Sequence, residues 1–456
     1  MKRPNILFIF TDQQSATMLS CAGNRWLQTP AMDSIAARGR RFERAYCTNP
    51  VCIPSRFSLA TGRYPSAIGL RWNDLGGVEV PISIRQSSVP RVMQAAGYET
   101  VYFGKQHLPN VSAEELGFSV LTEDERDGCA AEAAKYLRGR RERPFYAVAS
   151  FINPHDICHM AIRDFWRADP AGFRDATLNW TPEAFARELA EVDGALERPA
   201  GVSEAEFFER HCPPLPANAA VALDEPAALR RMLEKRAFRA WTREHYTPER
   251  WREHRWAYAR LTESVDRQIA VVLEALRAGG LEESTYVVFS SDHGDMDGAH
   301  GMEHKTSVYD ESARVPLLIA GPGIVPAVDD QHLVVNGLDL PETFRAIAGG
   351  ERPADWRGRN LLEAAQGRSE WRREAVIETE QGLCAVTHDL KYVRYDDGAR
   401  REQLFDRRTD PGESVNCVER PENGGEIARL REVLDAHARK TFHPRLAAAL
   451  AAQTGG

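Results

Sequence analysis

The chain has 456 residues, of which 43% are hydrophobic and 27% charged, and it carries a formal net charge of −8. That length buries a large core and accommodates one large domain with a smaller companion, while the mildly acidic balance excludes the basic face expected of a nucleic-acid binder. Eight cysteines lie scattered without a CxxC pair, which excludes a disulfide scaffold and a cysteine zinc site; most of them read as small core residues.

The chain opens on "NILFIFTDQQ", a strand from about Asn5 to Phe10 that ends at Asp12 and Gln13. This apolar run is too short for a signal-peptide core, and no later run approaches a membrane span. A cytoplasmic location without a membrane partner is the default expectation, and a periplasmic or secreted one applies if a leader has been removed. "TPAMDSIAARG" follows as a helix with Thr29 as N-cap and Gly39 as stop. "NPVCIPSRFSLATGRYP" then places Cys52 just before a short helix, with Pro54 in its first turn and Gly62 able to end it.

"ETVYFGKQHL" is a second strand, ending at Lys105 and His107, and "PFYAVASFINPHD" a third, ending at His155 and Asp156. From about 157 to 256 the chain is helical and loop-rich, with Trp166, Trp180, Trp241, Trp251 and Trp256 set among many arginines. In "ARLTESVDRQIAVVLEALRAGG" the residues Leu261, Val265, Ile269, Val272, Leu273 and Leu276 share one helical face, and Gly279-Gly280 stop it. "STYVVFSSDHGDMDGAHG" is a fourth strand, ending at Asp292 and His293. From about Ala375 the pattern changes to short antiparallel strands with turns at Gln381-Gly382 and Asp397-Gly398, then a helix near Glu426 to Arg439.

Continuous apolar strands alternating with helices predict an α/β fold, a large mostly parallel (mixed) sheet sandwiched by helices. Residues 1–370 read as the catalytic domain, with the helical insertion at about 157–256. Residues 371–456 read as an α+β subdomain, an antiparallel sheet and a helix, that completes the pocket. Ligands of open α/β sheets bind beyond the carboxyl ends of the strands, so Asp12, Lys105, His107, His155, Asp292 and His293 can converge at one edge. A single strand-end aspartate is ordinarily a cap or turn former. Four strand ends carrying carboxylates, imidazoles and a lysine are a different matter.

Asp12, Asp292 and His293 suit a divalent cation, Ca²⁺ or Mg²⁺ by their oxygens and Mn²⁺ by the imidazole; separate caps and salt bridges are the alternative. Arg56, Lys105 and Lys305 form an anion clamp if they converge, and are otherwise surface cations. His107 and His155 are acid–base candidates, and His159, His300 and His304 are candidates for the pocket wall. A helix start and a nearby Arg lower the pKa of the Cys52 thiol. A plain cysteine nucleophile nevertheless fits badly. A cysteine phosphatase loop needs arginine six positions on, where Ser58 stands, and thiolate matches a hard cation poorly.

"CIPSRFSLATGR" resembles the signature of type I sulfatases of the alkaline phosphatase superfamily, matching at Cys52, Pro54, Ser55, Arg56, Leu59, Thr61, Gly62 and Arg63. "PNILFIFTDQQ", "GKQH", "NPHD", "SDHGDMDGAHG" with the following "HK", and "QLFDRRTDPGESVN" resemble further blocks in family order, so the likeness spans nearly the whole chain. The resemblance implies that Cys52 is oxidised to Cα-formylglycine by a maturation enzyme, a partner of the chain. The hydrated aldehyde is a gem-diol, one oxygen of which attacks sulfur while the other hydroxyl later expels sulfate. It implies that Asp12, Gln13, Cys52, Asp292 and His293 bind the metal, most simply Ca²⁺. Arg56 and Lys105 then hold the formylglycine and the sulfate, His107 assists elimination, and His155 and Lys305 bind sulfate and protonate the leaving oxygen. Asn73, His300 and His304 are implied substrate-side groups. The chain departs from many members in having Asp12-Gln13 where they have two acids, which removes one negative charge from the metal site. Phosphonate and phosphodiester hydrolases of the superfamily share that Asp-Gln pair. They usually lack the Lys105/His107 pairing, which favours a sulfate monoester. The expected substrate is a sulfated small molecule or saccharide, the tryptophans of the insertion serving either as a sugar platform or as packing. The rivals are a phosphonate or phosphodiester hydrolase and a non-catalytic sulfated-glycan-binding protein with Cys52 unconverted.

Overall fold

Ile6, Phe8 and Phe10 leave one face of the first strand, and Leu7 and Ile9 leave the other; each set enters a separate apolar layer. A strand buried on both faces needs cover on both, and this arrangement organises the molecule. The computed structural model describes residues 3–73, 77–171, 173, 181–364, 366 and 370–454. Its strands are β1 Asn5–Asp12, β2 Gly39–Phe42, β3 Ala45–Tyr46, β4 Glu99–Gly104, β5 Ser119–Thr122, β6 Phe145–Pro154 and β7 Thr285–Ser291, followed by β8 Leu317–Ala320, β9 Ala327–Asp329, β10 Val334–Val335, β11 Ala375–Thr379, β12 Gly382–Val386, β13 Leu390–Tyr395 and β14 Glu402–Asp406.

Eight of these strands form one sheet in the order β5-β4-β6-β1-β7-β8-β2-β9, and β11 to β14 form a second, antiparallel sheet. Within the large sheet β5, β4, β6, β1 and β7 run parallel, and β8 runs antiparallel to β7 and to β2. The α/β expectation therefore holds, mixed sheet and smaller antiparallel sheet included. Because β4, β6, β1 and β7 are adjacent and parallel, their carboxyl ends share one edge, and the four strand ends singled out in the sequence meet there.

Helix Pro248–Ala278 covers one face with Val265, Ile269, Val272 and Leu276, joined by helices Pro30–Arg38 and Asp127–Arg138. Helix Asn336–Ala348 covers the other with Leu338, Leu340 and Phe344. The long helix starts earlier than its apolar stripe indicates. The Thr247 side chain accepts from the Arg250 N–H and Pro248 opens the first turn, both ordinary helix starts. Among the described residues no helix is long and apolar enough to cross a membrane.

Three local readings change. Thr29 holds the N-cap position, but its hydroxyl donates to Asp33. The Asp266 carboxylate, on the long helix, instead accepts from the N–H groups of Ala31 and Met32 at 3.0 and 2.9 Å. Gly39 is extended and opens β2 rather than ending a helix in the left-handed region; a Cβ there would lie 2.2 Å from the Ile319 carbonyl oxygen, so close strand approach selects glycine. The first C-terminal turn is Glu380-Gln381, one residue earlier than read, because Gly382 pairs with Thr379. In the insertion, Trp241 packs on Phe165, Trp251 on Tyr246 and Trp256 on Phe207, so these rings bind the added helices together. Trp180 lies outside the described residues.

Candidate active site

Helix Cys52–Thr61 begins at the sheet edge, with Pro54 in its first turn. The Asn73 side-chain oxygen accepts from the Ile53 N–H at 3.1 Å, and the Ser55 hydroxyl donates to the Asp292 carbonyl at 2.6 Å. These two bonds fix the start of the helix, and Gly62 ends it in the left-handed region at φ 72°. Asn73 thus meets the site through the backbone of the Cys52 loop.

Arg56, 2% exposed, gives its guanidinium to the site's own frame. Nε donates to Asp292 Oδ2 at 2.8 Å, Nη2 to Asp12 Oδ2 at 2.9 Å, and Nη1 to the Lys105 carbonyl and the Ser150 hydroxyl at 3.0 and 2.9 Å. Lys105 Nζ adds a 2.7 Å ion pair to Asp12 Oδ2. Gly104, at φ 87°, turns the chain so that the Lys105 N–H reaches the Ser150 carbonyl at 2.9 Å. With both Oδ2 atoms so engaged, Asp12 and Asp292 present Oδ1 on the other side. There His293 Nε2 lies 3.7 and 3.6 Å from the two Oδ1 atoms and 3.1 Å from the Cys52 sulfur.

Asp12, Cys52, Asp292 and His293 each offer one ligand atom, all within 4.8 Å of one another, and all four are buried. Burial alone would raise the Asp12 carboxyl, but Lys105, His155, Arg56 and His293 together hold it well below the usual range. Burial and the neighbouring Asp12 push Asp292 up to about 6. Burial and Asp12 also act to raise the Cys52 thiol, and Lys305, His293 and His107 outweigh them, so the thiol lies well below its usual value. Two buried carboxylates, an imidazole and a fourth donor suit a hard divalent cation once that fourth donor is an oxygen.

Around this cluster stand the acid–base and anion-binding candidates. His107 and His155 both act on the Cys52 sulfur, His107 lowering the thiol and the sulfur working to raise His155. Burial, Lys305 and Lys105 hold His155 well below the usual imidazole value, so it is neutral near pH 7. Lys305 is 7% exposed and stays charged; its Nζ meets the Gln13 side-chain oxygen and lies 3.5 Å from the Cys158 sulfur. A cleft of about 630 Å³ opens here, lined by Lys105, His107 and His155 and by His159, Phe185 and Glu188.

The structure brings together Asp12, Lys105, His107, His155, Asp292 and His293, as the strand-end pattern predicts, with Cys52, Arg56 and Lys305 beside them. Gln13 stands differently from its expected role as a ligand. Its amide oxygen accepts from Lys305 and from Cys158 at 3.0 Å, and its amide nitrogen donates to Asp295 at 2.6 Å. Its contribution to the cluster is a backbone N–H, 3.0 Å from Asp292 Oδ1. His300 stacks on Tyr309 at 3.8 Å and contacts Asn218, while His304 packs on Phe238 and meets Glu303; neither lines the cleft. Three residues escaped the sequence reading: Ser150, which holds Arg56, Arg126, which pairs with Asp156 at 2.6 Å, and Glu188. Only chain crossing brings them in, so no local pattern signals them.

Ammonium and imidazole groups gathered over a carboxylate cluster suit a substrate that is itself a tetrahedral anion, and on this α/β fold they define an ester hydrolase acting on such a group. The sulfatase family model matches residues 4–350, and the model described as N-sulphoglucosamine sulphohydrolase, C-terminal, matches residues 298–440. The chain belongs to the sulfatase family and is a sulfuric ester hydrolase. It is 30% identical to the uncharacterized sulfatase YidJ of Escherichia coli, over 92% of this chain and 84% of the relative. It is 28% identical to a Delta 4,5-hexuronate-2-O-sulfatase of Bacteroides thetaiotaomicron, over 95% of this chain and 88% of that protein. Among solved structures, a 2-O GAG sulfatase superposes with a TM-score of 0.78 at 26% identity, covering 98% of this chain and 96% of that one.

Proposed function

We propose that the protein hydrolyses a sulfate monoester of a carbohydrate alcohol to the alcohol and inorganic sulfate, with position 52 acting as formylglycine and a divalent cation, most simply Ca²⁺, beside it. The observation that carries this reading is the place of Cys52. Its side chain sits inside the carboxylate–imidazole cluster, where a thiol is a poor partner for a hard cation and an oxygen in its place is a good one. The saccharide is supported by the named substrates of the relatives above.

Asp12, Asp292, His293 and the side chain at position 52 would hold the cation, which when bound lowers the proton affinity of a coordinated oxygen and neutralises charge on the sulfate. The modified side chain supplies a hydrated aldehyde whose hydroxyl oxygen is the nucleophile toward sulfur. The remaining work belongs to residues of the chain. Lys105 and Lys305 place two ammonium groups on either side of position 52 and hold the sulfate oxygens. Lys305, which stays charged, would deliver a proton to the leaving ester oxygen, and neutral His155 would donate a hydrogen bond to the same oxygen. His107 accepts a proton from the position-52 hydroxyl as sulfate departs. Arg56 keeps the two aspartates apart and their Oδ1 atoms aimed at the cation.

Gln13 stands where many sulfatases have a second consecutive acid, and its amide oxygen turns toward Lys305, so the cation has one carboxylate fewer than in those members, which favours one second reading, a phosphonate monoester or phosphodiester hydrolase. Side-by-side kinetics on matched aryl sulfate and aryl phosphonate esters, with protein whose Cys52 peptide has the formylglycine mass, separate the two. The sulfatase reading expects a higher kcat/KM on the sulfate, and faster phosphonate turnover would overturn it. A glycan-binding protein without catalysis is tested by the same assay, since it would release no sulfate at all.

A further inference from the structure

Beyond the sulfate end, the cleft has an unusual charge for a protein that binds an anion. Glu123, Glu125, Asp156 and Glu188 line it, and among the described residues of the lining the one formally charged cation is Lys105, already paired with Asp12. Behind this wall stands Arg126, 3% exposed, whose Nη2 lies 2.6 Å from Asp156 Oδ2 and 3.6 Å from Glu188; its Nη1 is 3.7 Å from Glu125. One buried guanidinium thus faces three carboxylates. Asp156 is fully buried, which raises its carboxyl to about 7 against the pull of Arg126, and its second oxygen, Oδ1, has no hydrogen-bond partner among the described residues. An unsatisfied buried acceptor of that kind costs about 1–3 kcal/mol unless a ligand supplies a donor. Phe185, packed on His159 with ring centres 4.9 Å apart, adds an aromatic ring to the same wall.

A carboxylate or second sulfate on the alcohol part of the substrate would enter against this wall at a cost, since like charges brought together in a partly desolvated cleft repel. A nitrogen cation instead meets three carboxylates and an aromatic ring. A divalent metal is a poorer match, because Arg126 already occupies one Asp156 oxygen. We infer that the alcohol part of the substrate carries a cationic nitrogen, held by Asp156, Glu125 and Glu188 on the cleft wall, with the sulfate ester at Lys105, His107 and His155. The inference rests on the sulfatase reading and narrows its substrate class to amino-sugar sulfates or quaternary-ammonium alcohol sulfates. It sets the chain apart from the hexuronate-2-O-sulfatase among its relatives.

The test uses the full chain with converted Cys52 and four aryl sulfates that differ only at a para substituent insulated by a methylene group: hydrogen, ammonium, trimethylammonium and carboxylate. The expected order of kcat/KM is cationic above neutral above carboxylate. A preference for ammonium over trimethylammonium assigns the hydrogen bond to Asp156 Oδ1, and the reverse preference assigns the contact to Phe185 and the glutamates; either supports the inference. Glu188→Gln, at a half-buried position, should lower the ratio of cationic to neutral kcat/KM about fivefold, the scale of one partly exposed charge pair. Asp156→Asn should lower it further. The ratio is taken within one preparation, so partial misfolding of a variant cancels. A carboxylate ester turned over as well as the neutral one, or a ratio unmoved by Glu188→Gln, would overturn the inference and leave the sulfatase reading intact. No sulfate release from any of the four esters would overturn both.

Discussion

Arg56 shows how a residue in a signature can serve the frame rather than the substrate. Its three nitrogens are engaged by Asp12, Asp292, Lys105 and Ser150, and its guanidinium lies 4.8 Å from the Phe10 ring. The sequence pointed to an anion clamp because Arg56 falls near Lys105 and Lys305; it could not show that two buried carboxylates claim the guanidinium first. Replacing Arg56 with Met removes the charge and keeps much of the volume. Asp292 then loses its buried guanidinium partner while Asp12 keeps only Lys105, and the metal-free protein should lose about 3–5 kcal/mol in urea unfolding, the usual cost of breaking a buried ion pair. Added Ca²⁺ should restore part of that loss, since the cation binds the folded form alone. Equal stability of variant and parent in chelator would contradict this account. Gln13 carries the same lesson. Its amide is legible as a ligand from its place after Asp12, but Lys305 and Cys158, distant in sequence, turn the amide oxygen toward themselves.

At the scale of elements, the four strand ends were legible because a strand buried on both faces leaves a continuous apolar run, and parallel neighbours put their polar ends on one edge. The outer strands β2 and β9 are short and carry charged or exposed residues, so no such run marks them; β8 is apolar and fully buried but only four residues long. Capping was legible only where the cap is local. Thr247 caps its own helix, whereas the cap of helix Pro30–Arg38 comes from Asp266 on another element. The turn Ala299–Gly301 gives a pH prediction. Burial, and then Lys391, hold His300 down at about 4, so it is neutral in the fold and protonates in the unfolded chain near the ordinary imidazole value. Its folded pKa is depressed, so the unfolded chain binds the extra proton between the two values. Stability from this group is therefore complete above about pH 6.5 and is lost as pH falls toward 4, by up to about 3 kcal/mol. Urea unfolding from pH 7 to 4.5 should show this slope, and His300→Gln should flatten it by that amount. An unchanged slope in the variant would remove His300 from the explanation.

At the scale of the whole molecule, the C-terminal sheet braces the catalytic edge. The Glu378 N–H donates to the Thr48 carbonyl at 2.8 Å, just before the Cys52 helix, and the Thr379 hydroxyl donates to the Thr306 carbonyl at 3.0 Å, next to Lys305. Lys391, wholly buried, ties the same sheet to the core through the Val308 carbonyl at 2.9 Å, Asp310 at 2.5 Å and Glu413 at 2.5 Å. The existence of this sheet was legible from alternating residues and turns. Its bracing role was not, since it depends on contacts between distant parts of the chain. Lys391→Met should leave Asp310 and Glu413 buried with less compensation and cost about 3–5 kcal/mol, read as a lower urea midpoint. The variant should also lower kcat more than it raises KM, because the Lys305 loop loses its support. A variant with full stability would show that the sheets are held together elsewhere.

The central claim is that Cys52 is raw material for the nucleophile. It is tested most directly by sulfate release per mole of protein across preparations whose formylglycine fraction, read by mass spectrometry of the Cys52 peptide, ranges from none to complete. The account predicts release proportional to that fraction and none from Cys52→Ala. Sulfate release from Cys52→Ala at the parent rate, or release independent of the converted fraction, would contradict it.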